Sequence, residues 1–393
     1  MLRTGRDVAV AALFKRVIRS VRPHTLLTLA SAVAVGAMII APAAVSGDAA
    51  SASPATLASS APAAALGSHA SPQKAGMAEL FEAYNPDNGE IGTSWWQAAV
   101  ALSTLETYQQ TTGDRSYSSA IGHAFADHES RKFENKFDDD TSWWGLAWLQ
   151  AYEITRSRQY LSMAETDANY VHRQWDSTCG GGVWWLAKPR TYKNAISNEL
   201  FLELTAWLHN VVRGDTKYLR WAKAEWAWFS QSGMINGTEL VNDGLTATCA
   251  NNHRTTWTYN QGVILAGLAQ LYRATKDASL LSEAERIAAA AISQLTVGGV
   301  LHEPCAGSEC GNGRRGDPES FKGIFVADLK TLAVTARTRQ FNGFFRTQAQ
   351  SIEAHDRSRS HQLGMFWAGP LADRTTSSQA SAEAALVAAL RLP

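Results

Sequence analysis

One local pattern recurs along this chain and limits its fold more than any other feature. An apolar helix face runs into a short polar turn, and a second helix then opens on an apolar or aromatic side chain. The pattern occurs in LETYQQTTGDRSY, LQAYEITRSRQYL, TAWLHNVVRGDTKYL, LAQLYRATKDASLL and LAVTARTRQFNGFF, starting at Leu105, Leu149, Thr205, Leu268 and Leu332. The spacing, roughly forty to sixty-five residues, is too irregular for a strict solenoid. A single helix pair cannot bury its own inner face, so neighbouring pairs must stack, and about six such pairs close into a ring. The run from Ser377 to Leu392 supplies a further helix. An open superhelix has the same periodicity. The ring is favoured because helix starts and insertions carry Trp, Asp, Asn and Tyr, which suits a cleft at one end of a toroid. Stretches of β-branched residues are short, so the expected fold class is all-α, an (α/α)6 barrel of six helical hairpins.

The 393 residues are 45% hydrophobic and 18% charged, with 36 basic and 36 acidic side chains, which argues against disorder and against a nucleic-acid or membrane-surface partner. Arg3, Arg6, Lys15, Arg16, Arg19 and Arg22 precede an apolar stretch from Leu26 to Ile40, and Ala50-Ser51-Ala52 is a candidate cleavage site. Residues 1–52 are therefore expected to be an export signal, with an uncleaved membrane anchor as the alternative. An Ala/Ser/Pro linker is expected over 53–76 and one catalytic domain over 77–393, secreted and monomeric. The cysteines lie in the exported part, where disulfides persist. Cys305 and Cys310 can close a small loop, leaving Cys179 to pair with Cys249. A four-thiolate zinc site is the rival, but no CxxC half-site is present.

The most chemical segment is KFDDDTSWW, followed by an apolar helix pattern. A single Asp there would read as a helix cap. Three in a row exceed what one cap needs, and crowding raises the cost of ionising all of them. Calcium would relieve the charge, yet the segment lacks the Gly and the distant Glu of an EF-hand loop, so no metal or other cofactor is expected. Glycoside hydrolysis uses such a pair directly, one carboxyl to protonate the leaving oxygen and one to attack the anomeric carbon. Neighbouring Asp side chains suit the ~5 Å separation of a retaining pair, and their repulsion raises one pKa. The 14 Trp, several paired as Trp95-Trp96, Trp143-Trp144 and Trp184-Trp185, serve either as core or as flat platforms for pyranose rings.

Asp139 and Asp140, followed at fixed spacing by Trp143 and Trp144, resemble the Asp-Asp-x-x-Trp-Trp pattern of glycoside hydrolase family 76. The resemblance continues through LAWLQAYEIT, GGGVWW, KNAISNELFLELTAWL, WTYNQGVILAGLAQLY and FKGIFVADL. A third Asp, and Thr141-Ser142 where Asn-Ala is frequent, depart from the family's commonest wording. The resemblance implies an (α/α)6 barrel, retaining endo-hydrolysis of α-1,6-linked mannan or manno-oligosaccharide, and no required metal. It also implies Asp139 as nucleophile and Asp140 as acid/base. Asn194, Asn198, Glu199, Tyr259, Asn260 and Gln261 match polar positions at inner-helix starts that would hold sugar hydroxyls. Asp243 and Lys322 would line the cleft, and Trp143, Trp144, Trp184 and Trp185 would contact sugar. Capping, salt bridging and core packing are the competing readings of these residues. Two other functions remain in view, a transglycosylase using the same residues on cell-wall glycans and a non-catalytic carbohydrate-binding protein.

Overall fold

The computed structural model describes residues 71–92, 94–305 and 316–393. The expected leader, most of the linker and Cys310 lie outside the described residues. Twelve α-helices are present among the described residues: α1 (Pro72–Phe81), α2 (Trp95–Thr112), α3 (Ser118–His128), α4 (Asp138–Thr155), α5 (Arg158–His172), α6 (Ala195–Val211), α7 (Lys217–Phe229), α8 (Thr258–Thr275), α9 (Ala278–Gln294), α10 (Pro318–Ala336), α11 (Asn342–His355) and α12 (Thr376–Ala388). A two-residue antiparallel pair, β1 (Thr296–Val297) and β2 (Val300–Leu301), turns through Gly298 and Gly299.

The even-numbered helices form the inner ring. Each packs on the next, and α12 packs back on α2, so the ring is closed rather than an open superhelix. The odd-numbered helices lie outside, α1 against α12 and α3, α5, α7 and α9 against their preceding inner helix. Burial follows from this arrangement. The inner helices α6 and α8 are covered almost all round, whereas the outer α5 and α9 bury one stripe and leave the rest to solvent. Close approach of inner helices uses glycine. A Cβ on Gly262 would lie 2.5 Å from the Phe325 backbone, and one on Gly323 would lie 2.4 Å from that of Ser381.

The polar turns act as stops and starts. Gly113 ends α2 in a left-handed conformation, and Arg156, Lys276 and Arg337 do so for α4, α8 and α10. Asp215 accepts the free N–H groups of Lys217, Tyr218 and Leu219 at the start of α7, at 2.9–3.1 Å. The boundary expected at 77 is corrected. Ser71 caps Lys74 N–H at 3.2 Å, Pro72 occupies the first turn, and Met77 and Leu80 are buried, so the barrel's first outer helix begins inside the expected linker. Cys179 and Cys249 form a disulfide, as the sequence suggested. Cys305 is also disulfide-bonded.

Candidate active site

The inner helices run parallel, so their N-termini gather at one end of the ring. Trp95 and Trp96 of α2 meet Trp144 and Trp143 of α4, and Trp96 also reaches Asp317 and Phe321 at the start of α10. Positive helix ends therefore surround this mouth and favour anionic groups there.

Asp138, Asp139 and Asp140 form the first turn of α4, whose N-cap, Phe137, makes no side-chain cap. The three carboxyls have separate surroundings. Asp138 is fully buried and both its side-chain oxygens lack a hydrogen-bond partner; burial, then the Asp139 charge, pushes it up to about 9. It is held neutral, and its backbone N–H donates to Trp185 O at 3.0 Å. Asp139 accepts from the Trp185 indole N–H at 3.2 Å. Burial, then Asp140, raises Asp139 well above the usual carboxylate range, while first-turn N–H groups and the indole oppose the rise. Asp140 accepts from Asn135 Nδ2 at 2.6 Å. Burial pushes Asp140 up to about 6, with Asn135 lowering it and the Asp317 charge raising it. The pair titrates as a unit, and at neutral pH raised pKa values on both members leave one proton to be shared.

Around the pair, Trp185 meets Tyr192 edge-on at 6.2 Å, and the Tyr192 hydroxyl donates to Asp243. Tyr259 stacks on Phe321 at 3.8 Å, and burial, then the Asp243 and Asp139 charges, raises its hydroxyl well above the usual phenol range. Trp143 stacks on Trp96 at 5.9 Å with planes 26° apart. Glu199 and Asn260 are fully buried with no hydrogen-bond partner for their side-chain oxygens and amide. Burial, then Asp328 and Asp243, raises Glu199 well above its usual range, so it is kept neutral.

Several expected sugar contacts are instead structural. Trp144 is fully buried among Trp95, Phe133 and Trp148, with ring centroids 4.9–5.4 Å away. Trp184 donates to Asp176 at 2.7 Å beneath the Lys193 ammonium. Asn194 caps α6 by accepting from Ser197 N–H at 3.3 Å. The Asn198 side chain bonds Val183 N–H at 2.7 Å and the carbonyls of Val183 and Asn194 at 3.1 and 2.7 Å. Gln261 treats Val241 the same way, at 2.7 and 2.9 Å. Lys322 is buried, donates to Met365 O at 2.6 Å, and sits over the Trp367 ring. For Asn198, Gln261 and Lys322 the demand is a loop backbone group left unpaired beside the inner helices. Conversely, Asn135, Tyr192 and Asp317 reach the site without having been singled out, and Trp96, noted only as one of a Trp pair, joins them. The only sequence signal for Asp317 was its position before Pro318, a helix start.

A closed ring of helical hairpins whose open end gathers a carboxylate pair, indoles and phenols defines the helical-toroid class of glycoside-processing folds. Residues 68–392 match glycosyl hydrolase family 76, and the chain belongs to that family. Among its relatives is the mannan endo-1,6-alpha-mannosidase DCW1 of Candida glabrata, 30% identical over 271 residues, which are 63% of this chain and 60% of that protein. The chain spans about three fifths of the length of the curated relatives it matches. The GH76A alpha-1,6-mannanase of Salegentibacter sp. HEL1_6 is similar in structure, with a TM-score of 0.73 and 25% identity over 81% of this chain and 98% of that one. An inactive variant of the same mannanase, with two consecutive aspartates replaced by asparagine and alpha-1,6-mannotriose bound, matches with a TM-score of 0.73 and 24% identity, covering 82% of this chain and 99% of that one.

Proposed function

We propose that this protein is a secreted, retaining glycoside hydrolase that cleaves α-1,6-mannosidic linkages within mannan. The observation that carries the reading is the pair Asp139 and Asp140 at the positive end of α4, one member held by an indole N–H and the other by an amide. The relatives named as α-1,6-mannanases and mannan endo-1,6-alpha-mannosidases support the substrate. The loss of activity of one of them on replacing two consecutive aspartates supports the role of the pair.

Asp139 attacks the anomeric carbon as a carboxylate, and the first-turn N–H groups and Trp185 stabilise its charge. The one proton the pair shares has to sit on Asp140 when the 6-oxygen departs, although in the free protein burial raises Asp139 further than Asp140. In the second half, Asp140 takes a proton from water, whose oxygen attacks the same carbon, and Asp139 leaves as the carboxylate. Trp143 and Trp185 are each half-buried at the mouth and offer apolar faces to pyranose rings. A monomer agrees with the surface, because among the described residues the large exposed hydrophobic side chains are Val297 and Val334, on separate elements.

The test is to incubate the mature protein with linear α-1,6-mannan and follow the anomeric protons by NMR. New reducing ends that appear first in the α configuration are expected. Initial β products would remove the covalent mechanism, and intact mannan in the presence of folded protein would remove the hydrolase.

A further inference from the structure

Asn135 stands in the loop before α4 and is fastened from several sides. Its side-chain Oδ1 accepts the Phe137 N–H at 2.7 Å, closing an Asx turn that leads the chain into the helix. Its own N–H donates to Thr141 Oγ1 at 3.3 Å, and the fully buried Thr141 hydroxyl donates in turn to Phe137 O at 3.3 Å. Its carbonyl accepts the Tyr170 hydroxyl of α5 at 2.8 Å. None of these bonds involves Asp140, yet together they fix where the remaining group of Asn135 points. That group, Nδ2, lies 2.6 Å from Asp140 Oδ2.

The orientation of the amide follows from its partners. A backbone N–H only donates, so the atom facing Phe137 must be the oxygen and the atom facing Asp140 must be the NH2 group. Asn135 therefore offers Asp140 a donor, and it cannot offer an acceptor without giving up the turn. Such a donor favours the carboxylate over the acid and opposes the burial that pushes Asp140 upward. It also makes the two oxygens unequal. A proton on Oδ2 would set an O–H against the amide N–H, whereas Oδ1 makes no hydrogen bond among the described residues.

We propose that Asn135 is the positioning residue of the acid/base: it donates to Asp140 Oδ2 in both halves of the reaction, so that Oδ1 is the oxygen that gives a proton to the departing 6-oxygen and takes one back from water. The proposal rests on the role given to Asp140 above. In the first half, the 6-oxygen leaves with the electron pair of its bond to the anomeric carbon and gains the proton of the Oδ1–H bond, which breaks. In the glycosyl-enzyme Asp139 is an ester. Asn135 is then the donor that steadies the Asp140 carboxylate until Oδ1 takes a proton from the attacking water.

Asn135→Asp and Asn135→Ala separate this role from turn building. The aspartate keeps an oxygen for the Phe137 N–H but sets a second oxygen against Asp140, and it alone carries the test if the alanine variant, which loses both bonds, does not fold. The expected result is a fall of about tenfold or more in kcat/KM on linear α-1,6-mannan, no smaller for aspartate than for alanine, with a several-fold smaller fall on an aryl α-mannoside that needs no acid. Losing the donor strengthens the hold of the pair on its shared proton, so the alkaline limb of kcat/KM should move to higher pH. The ionisable groups that act on Asp140 are Asp139 in the same turn of α4 and Asp317 ahead of α10. Of the helices packed on α4, α2 brings the Trp96 indole, α5 brings Tyr170, which meets Asn135 instead, and α6 brings Glu199, buried and neutral. A wild-type profile for Asn135→Asp, equal falls on both substrates, or a limb that stays in place or moves to lower pH would overturn the proposal. If the wild type cleaves neither substrate, the hydrolase reading fails by itself, and carbon-13 NMR of the protein labelled at its aspartate carboxyls decides the contact: an Asp140 carboxyl that titrates at higher pH in the variants supports the hold by Asn135, and an unchanged midpoint overturns it.

Discussion

Asp139 and Asp140 are adjacent in sequence, yet the two walls they face are built differently. The wall behind Asp139 is a fastened strap. The segment from Asp176 to Trp185 is tied by the Cys179–Cys249 disulfide, and Trp228 donates to Cys179 O at 2.9 Å. The buried Lys193 ammonium bonds Asp176 Oδ1 and the carbonyls of Thr178, Gly181 and Gly182 at 2.6–3.0 Å. This strap delivers Trp185 to Asp139. The wall beside Asp140 has no disulfide or buried ammonium among its ties: Asn135 holds the carboxylate, Asp317 holds Trp96, and a cavity follows whose wall is laced by side-chain hydrogen bonds among Glu79, Gln362 and Arg374. The difference fits the two tasks proposed for them. A nucleophile has to meet one carbon at one distance, whereas an acid/base has to serve a departing sugar and then an incoming water.

Four changes would break or sharpen that contrast. The largest effect is expected for Asp140→Asn, which removes the proton from the open wall; mannan turnover should fall about 10²- to 10⁴-fold, measured as reducing ends, with far less loss on an aryl mannoside that needs no acid. Lys193→Met tests the fastened wall. It leaves the strap carbonyls without their ammonium and Asp176 with the Arg190 cation alone, at 3.7 Å, and urea unfolding should show a loss of about 2–4 kcal/mol. Trp185→Phe keeps the ring but deletes the N–H to Asp139, so kcat should drop about 10- to 100-fold with little change in KM. A change in KM alone would mean that Trp185 is a sugar platform and nothing more.

Asp317→Asn should give the smallest effect, a displaced pH profile. The Asp317 charge raises Asp140, so neutralising it lowers Asp140 from about 6. The acid form is then lost sooner as pH rises, and the alkaline limb of kcat/KM should move to lower pH. A limb that stays in place would detach Asp317 from the acid/base.

Much of this was legible in the sequence because it rests on local chemistry. The hairpin turns gave the ring, with Gly113 and Asp215 in the stopping and starting roles their types suggest. The aspartate pair stood out because three adjacent carboxyls have no economical structural use. What could not be read was direction. Trp143 and Trp144 are about 100° apart on α4, one facing the mouth and the other the core, and their identical types carry no hint of which is which. Asn198 and Gln261 look like sugar ligands because a loop carbonyl and a sugar hydroxyl make the same demand of an amide. The first half of α1 was assigned to the linker through its Ala/Ser/Pro context, although Ser71-Pro72 is a helix-start signal. Asp317 reaches Asp140 only through ring closure, which joins segments 177 residues apart in sequence (317 − 140).

The central claim is that the fastened wall holds the nucleophile. Trapping the glycosyl-enzyme with a 2-deoxy-2-fluoro mannosyl donor carrying an activated leaving group, followed by peptide mass spectrometry, tests it directly. The account predicts a single adduct on Asp139, formed in the wild type and absent in Asp139→Asn. An adduct on Asp140, or complete turnover with no covalent species, would contradict it.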